Sequence, residues 1–213
     1  MNSPIFITGI GTGIGKTVVS AIITEALEAD YWKPVQAGTE PITDSEWVRN
    51  NLTNTRSVIH PECYRLKLAA SPHYSAKQED VAISVQRISG DIPIYNRNLI
   101  VEGAGGLLVP LNDSEFIRDL IIALRAKVVL VSRNYLGSIN HSLLTAAECM
   151  RNNIPVAGWF FIGYESGSGY ENEIIKWSGI PRIATIPIVE YPGKSFVKGM
   201  AESHKESLND MLC

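Results

Sequence analysis

The clearest chemical signal in the chain is the run Gly9-Ile10-Gly11-Thr12-Gly13-Ile14-Gly15-Lys16-Thr17. Glycines let successive backbone N–H groups converge on phosphate oxygens. Two phosphate-binding patterns are possible here. The dinucleotide pattern G-x-G-x-x-G fails, because a frame begun at Gly9 ends on Ile14 and one begun at Gly11 ends on Lys16. The other pattern ends in G-K-[ST], which Gly15-Lys16-Thr17 supplies. Its first glycine belongs five residues before Gly15, where Ile10 stands, and the nearest match, Gly9, lies six before. The run is therefore a lengthened P-loop. Lys16 can neutralise β/γ-phosphates and the Thr17 hydroxyl can hold Mg²⁺. A helix beginning at Gly15 would add its N-terminal partial charge.

Such a loop also needs a carboxylate near the metal. Leu99-Ile100-Val101-Glu102 is an apolar run ending in an acid, followed by Gly103-Ala104-Gly105-Gly106. An acid at the carboxyl end of a parallel strand can face the metal across the first loop. Small residues after it permit close approach of a ligand. Tyr31-Trp32-Lys33-Pro34-Val35 places a lysine within or at the end of another apolar run. Lysine is rarely buried without a partner, so Lys33 either snorkels to solvent or reaches toward a transferred phosphoryl group. Asp44, in Pro41-Ile42-Thr43-Asp44-Ser45, can cap a helix as readily as it can face a metal.

These residues need a scaffold, and the apolar pattern predicts one. Strand-length runs occur at Ile5–Thr8, Tyr31–Val35, Leu99–Glu102, Val128–Ser132, Val156–Phe161 and Ile183–Ile186. Helical spacing occurs at Gly15–Ala29, Asp44–Leu52, Val81–Ile88, Ser114–Leu124, Ser138–Met150 and Lys194–Leu212, with Ser114 and Ser138 as N-cap candidates. The alternation predicts an α/β fold, a mostly parallel sheet with helices on both faces, with ligands beyond the carboxyl ends of the strands. Gly163–Gly169, with three glycines and two serines, reads as a mobile loop. At roughly 150 residues per domain, the 213 residues predict a single domain, 1–213.

Composition removes other classes. The chain is 45% hydrophobic and 19% charged, as a folded globule is. Nineteen Lys+Arg against 22 Asp+Glu give a net charge of −3, which leaves no electrostatic footprint for nucleic acid or an anionic membrane. Met1-Asn2-Ser3-Pro4 has no basic, apolar leader character, and no run is long and apolar enough to span a bilayer. Cys63, Cys149 and Cys213 are odd in number and far apart, so they read as free thiols in a reducing cytosol. A cytoplasmic location follows as the expectation.

Taken together, Thr8-Gly9…Gly15-Lys16-Thr17, Lys33-Pro34-Val35-Gln36-Ala37-Gly38, Asp44, Val101-Glu102-Gly103-Ala104-Gly105-Gly106, Pro110-Leu111 and Leu136-Gly137-Ser138-Ile139-Asn140-His141 resemble the dethiobiotin synthetase family, in family order. That family also uses the lengthened loop. The resemblance implies a P-loop NTPase fold and a homodimer with shared sites. It implies Mg²⁺-dependent, ATP-driven ring closure of 7,8-diaminononanoate with CO₂ to dethiobiotin, a step of biotin biosynthesis. By resemblance the catalytic residues are Lys33, Lys16 and Thr12. ATP would be bound by Gly11, Thr12, Gly13, Ile14, Gly15, Lys16, Thr17, Val18, Asp44, Glu102, Gly105, Pro187, Ile188 and Val189. The metal set would be Thr17, Asp44 and Glu102, hard oxygen donors as Mg²⁺ requires. The organic substrate would meet Ala37 and Gly38, with its carboxylate tail at the helix start Ser138, Ile139 and Asn140 of a partner subunit and Tyr170 near that tail.

Two positions depart from the family. Ala37 stands where Ser or Thr is common, and Ile162-Gly163 stands where an Asn reads adenine. Losing that amide removes a donor and an acceptor, so a relaxed choice of triphosphate is expected. The alternative reading is a switch or partitioning ATPase of related fold. Those proteins often carry a second lysine near the loop start, where this chain has Ile10, Gly11 and Thr12.

Overall fold

The computed structural model describes residues 3–163 and 169–212. Strand β1 (Ile5–Gly9) is buried along its whole length, and its side chains serve two cores. Phe6 packs on one side, while Ile5 and Ile7 pack on the other. A strand covered on both faces reads as continuously apolar, which is why the run shows no alternation. Around it lie β2 (Asp30–Trp32), β4 (Ile59–His60), β6 (Leu99–Glu102), β7 (Lys127–Arg133), β8 (Val156–Gly163) and β9 (Arg182–Pro187). They form one seven-stranded sheet, ordered β4-β2-β6-β1-β7-β8-β9. Every pairing in it is parallel.

Helices α1 (Lys16–Leu27), α2 (Asp44–Asn51) and α8 (Lys194–Leu212) cover the face holding Ile5 and Ile7. Helices α3 (Pro72–Gln78), α4 (Val85–Gly90), α5 (Ile117–Ala123), α6 (Ser138–Arg151) and α7 (Gly169–Ser178) cover the other. The predicted α/β architecture is therefore present. Among the described residues no helix is long and apolar enough to cross a membrane. Cys63 and Cys149 are free thiols, and burial pushes Cys149 up to about 12, which keeps it protonated. Cys213 and residues 164–168, most of the loop expected at Gly163–Gly169, lie outside the described residues.

Several boundaries differ from expectation, each for a local reason. The run Tyr31–Val35 is not one strand. β2 stops at Trp32, and β3 (Val35–Ala37) pairs instead with β5 (Tyr64–Leu66) in a separate two-stranded sheet. Pro34 has no N–H to continue a ladder. The helix expected from Val81 begins only at Val85, where the Ser84 hydroxyl accepts the Arg87 N–H at 3.3 Å. Ser114 caps nothing: its hydroxyl donates to Asn112 at 3.1 Å and α5 starts at Ile117. Ser138 is the first residue of α6 rather than its cap, which is Gly137 at φ 102°. Helix α3 is not among the expected helices, although Ser71-Pro72 is a start signal. Strand β4, with two residues, is too short to carry a pattern.

The face bearing α5 and α6 is tied together by a charge network. Glu148 accepts from Arg118 at 2.8 Å, from Arg151 at 2.6 Å and from Asn152 at 2.9 Å. The Arg151 and Arg118 hydrogen bonds pull its carboxyl down to about 2. A depressed carboxyl stabilises the fold above its unfolded value, near 4.5, and that contribution fades as pH falls toward 2. Glu148→Gln should therefore lower the Tm at neutral pH, and the difference from the unaltered protein should shrink below about pH 4.5. Thermal unfolding of both proteins across pH checks this; a constant difference would show that the charge is not what stabilises.

Candidate active site

The loop between β1 and α1 lies at the carboxyl edge of the central strand, where the sheet order places a ligand crevice. A Cβ on Gly9 would strike the Val131 carbonyl oxygen of the adjacent strand, so glycine is required there. Gly15 caps α1 at φ 96° and supplies no side chain, leaving the first N–H groups of α1 facing outward. Lys16 folds back over the loop, and its ammonium donates to the Gly11 carbonyl at 2.7 Å. Burial, aided by the charge of Lys33, lowers it to about 8, with Glu102 opposing that shift.

A cavity of about 750 Å³ opens in front of this loop. Thr12, Gly13, Gly15, Lys16, Thr17 and Val18 line it from the loop, and Lys33, Ala37, Asp44, Glu102 and Gly105 from other elements. The charged groups converge tightly at its floor. Lys33 Nζ lies 2.7 Å from Asp44 Oδ2 and 2.9 Å from Glu102 Oε1. Thr17 Oγ1 lies 2.7 Å from Asp44 Oδ1 and 2.9 Å from Glu102 Oε1. Burial disfavours a charge on Lys33, but Glu102 and Asp44 outweigh it and hold the ammonium above its ordinary value. Burial likewise acts to raise Asp44, and Lys33 with its neighbours more than reverses this, so Asp44 stays ionised. A buried ion pair contributes little net stability against an apolar replacement. The cluster is better explained by chemistry than by folding.

Asp44 is not the cap of α2, because its neighbour takes that place. Thr43 caps α2: its hydroxyl accepts the Glu46 N–H at 3.2 Å, and the Glu46 carboxylate accepts the Thr43 N–H at 2.8 Å. Asp44 is thereby released to face Thr17. Gln36, which sequence reasoning did not single out, braces the same loop. Its carbonyl oxygen accepts the Asp44 N–H at 3.2 Å and its amide donates to the Gly38 carbonyl at 2.7 Å.

The donor set fits a small hard cation. Thr17 Oγ1, Asp44 Oδ1 and Glu102 Oε1 stand together, and the one Thr17 proton cannot serve both carboxylate oxygens that it approaches; Lys33 supplies the balancing charge, donating to Glu102 Oε1 and to the other Asp44 oxygen. Among the described residues no group of three or more His, Cys, Asp or Glu side chains gathers as a metal site, and this site brings two acids together with a hydroxyl. Two carboxylates plus a hydroxyl suits Mg²⁺, which is usually bound by one or two carboxylates together with substrate phosphates.

Other expected residues fall outside this cavity. Gly11, Ile14 and Ile188 line a second recess, about 590 Å³, with Thr12, Gly13, Arg133, Asn134 and Tyr135. Pro187 is exposed at the end of β9, paired with Gly163, and Val189 is exposed beyond it. Ile162 is buried and packs toward Gly15, where an added Cβ would come within 3.1 Å. It offers no amide to a base. Gly38 turns the backbone at φ 84° beside Ala37. Ser138 is fully buried, Ile139 half-buried, and Asn140 and Tyr170 exposed. None of these four is among the described residues lining the main cavity.

Comparison with known proteins adds to this geometry. The AAA domain family matches residues 3–193. The ATP-dependent dethiobiotin synthetase BioD of Cytophaga hutchinsonii is 54% identical over 175 residues, covering 82% of this chain and 83% of that protein. The protein of the same name from Brucella ovis is 43% identical over 190 residues, covering 89% of this chain and 88% of its own. Among solved structures, a plasmid partition protein from Borrelia burgdorferi matches with a TM-score of 0.61 at 13% identity, covering 99% of each chain. The MinC:MinD cell division protein complex of Aquifex aeolicus matches with a TM-score of 0.60 at 12% identity, covering 99% of this chain and 96% of that one. At such low identity these two speak to fold alone. With a P-loop, a buried Lys33–Asp44–Glu102 cluster and relatives at this identity across most of its length, the chain belongs to the ATP-dependent dethiobiotin synthetase family.

Proposed function

We propose that this chain is an ATP-dependent dethiobiotin synthase of biotin biosynthesis, with residues 1–213 acting as one P-loop ligase unit in the cytoplasm. The observation that carries the reading is the convergence of Lys33, Thr17, Asp44 and Glu102 on the cavity in front of the loop. One amine of 7,8-diaminononanoate takes up CO₂ as a carbamate, losing a proton. A carbamate oxygen attacks the γ-phosphorus, and the bond to the β-γ bridging oxygen breaks to release ADP. The second amine then attacks the carbamoyl carbon, closes the cyclic urea, loses a proton and expels phosphate. Phosphoryl transfer of this kind needs positioning and charge neutralisation more than covalent help.

The chain's residues suit those needs. Lys16 and the loop N–H groups hold the β/γ-phosphates, with Gly11 to Val18 wrapping the triphosphate. Thr12, within the loop, lines the cavity next to Gly105, where an added Cβ would lie 3.5 Å from its hydroxyl. Lys33 is held by two carboxylates and is poised to turn toward charge developing on the transferred group. Thr17, Asp44 and Glu102 would hold Mg²⁺, which when bound spreads the phosphate charge. With Ala37 carrying no hydroxyl, contacts to the diamine there fall to backbone groups of Ala37 and Gly38. Pro187, Ile188 and Val189 offer backbone to the base, and without an amide at Ile162 the base is read loosely.

The carboxylate tail belongs, in this reading, at the N-terminus of α6 from a second copy. Ser138, Ile139, Asn140 and Tyr170 do not line the main cavity of their own chain. Leu136, just before that helix, is 91% exposed and Leu144, midway along it, 62% exposed, as an interface with a second subunit would require. Asn140→Ala should raise the apparent KM for the diamine about tenfold, the scale of one lost hydrogen bond to a charged group, with the KM for ATP unchanged. Steady-state kinetics varying each substrate checks this, and equal effects on both would remove the tail from α6.

The deciding experiment measures phosphate release from Mg·ATP with and without 7,8-diaminononanoate and bicarbonate, with the organic product identified by mass spectrometry. Release that needs both, with a cyclic urea formed, is expected. Hydrolysis independent of either, with no urea, would turn the reading to a switch ATPase.

A further inference from the structure

Glu102 accepts hydrogen bonds on both oxygens, and the two oxygens have different neighbours. Oε1 faces Thr17 and Lys33, each at 2.9 Å. Oε2 faces away from that group and accepts from the Tyr31 hydroxyl, also at 2.9 Å. We propose that Tyr31 is a positioning residue, whose buried hydroxyl fixes the Glu102 carboxylate so that a single oxygen is presented to the metal-binding group. The inference rests on the assignment of Glu102 to that group.

The sheet dictates the arrangement. β2 and β6 are parallel neighbours, with Tyr31 in register with Ile100. Side chains two residues apart on an extended chain share a face. Tyr31 and Lys33 therefore project toward the same side as Ile100 and Glu102, and their tips meet at the acid. The Tyr31 ring is fully buried and belongs to the core beneath α1, α2 and α8. It cannot swing away as a lysine can. Its phenol is an uncharged hydroxyl at ordinary pH and donates to the Glu102 carboxylate.

Neutrality is what makes Tyr31 different from Lys33. A second fixed cation on Glu102 would oppose a divalent metal, whereas a phenol orients the carboxylate and leaves its charge available. When Lys33 turns toward the phosphoryl group, Tyr31 keeps Glu102 from rotating after it. Such outer hydrogen bonds to a metal-binding carboxylate typically govern about 10- to 100-fold in metal affinity.

The test is Mn²⁺ binding followed by electron paramagnetic resonance, with ADP present, in the unaltered protein, Tyr31→Phe, Glu102→Gln and the double variant. Tyr31→Phe should weaken Mn²⁺ binding about tenfold. Metal-free ADP affinity should hardly change, and the Tm of the metal-free protein should fall by only a few degrees, because one oxygen of the buried carboxylate loses its donor. In the Glu102→Gln background, Tyr31→Phe should have no further effect, because the hydroxyl acts through that carboxylate. Should Tyr31→Phe not accumulate as folded protein, Tyr31→Met fills the same space without a hydroxyl and carries the same expectation. Unchanged Mn²⁺ affinity in a folded Tyr31 variant, with Glu102→Gln still weakening it, overturns the role of Tyr31 alone. Mn²⁺ affinity indifferent to Glu102→Gln overturns the metal assignment and this inference with it.

Discussion

Lys33→Ala should lower kcat about 10³-fold while Mg·ATP binds as tightly as before, or more tightly. A single positioned cation at a transferring phosphoryl group is worth roughly 10³- to 10⁵-fold in other phosphoryl-transfer sites, and one oxyanion donor about 10²- to 10³-fold. The lower part of that span applies because Lys16 remains. The prediction on binding follows from geometry. Lys33 lies 2.7 Å from Asp44 and 2.9 Å from Glu102, so before substrate arrives it neutralises the two acids assigned to the metal. Removing it removes an internal competitor for those oxygens. An effect confined to kcat marks an interaction made in the transition state rather than on binding. Isothermal titration with a non-hydrolysable ATP analogue, set beside turnover, separates the two. Weakened binding with unchanged kcat would make Lys33 a ground-state phosphate ligand instead.

Glu102→Gln should raise the Mg²⁺ concentration for half-maximal activity about 100-fold or more. Losing a partner one bond removed from a metal ligand already costs about 10- to 100-fold, and here the ligand's own charge is lost. The amide also meets a conflict. Thr17, Lys33 and Tyr31 all direct donors at this side chain, and the amide NH₂ must face one of them. Glutamine therefore keeps these contacts only if a facing hydroxyl turns from donor to acceptor, and it lacks the charge even though its shape matches. Mg²⁺ titration of turnover at saturating ATP checks this. An unaltered titration would assign the metal to Thr17 and Asp44 with phosphates alone. Asp44 remains the more accessible acid, with its side chain 32% exposed against 1% for Glu102.

Much of this site was legible in the chain because its chemistry is local. The phosphate loop is nine contiguous residues, Gly9 to Thr17, whose order alone defines anion binding. Glu102 stood out because a buried apolar run ended in an acid followed by small residues. Lys33 stood out because lysine is an unusual end for such a run. The α/β class followed from alternating strand-length and helical spacings, which are local too.

What the chain could not disclose is which distant pieces meet. Thr17 and Glu102 are 85 residues apart and come within 2.9 Å only because β6 lies directly beside β1 in the sheet. Strand order depends on how whole faces pack, and no window of residues contains that information. The same holds for Asp44, whose reading as the cap of α2 ended once Thr43 and Glu46 closed a capping box there. Pro34 could be seen, but the departure of β3 into its own sheet required β5 as a partner. Tyr31 shows the contrast most sharply. In the chain it is one more aromatic in a buried run. Folded, it sits one strand from Glu102 on the same face, and a residue read as core becomes the donor that holds the acid in place.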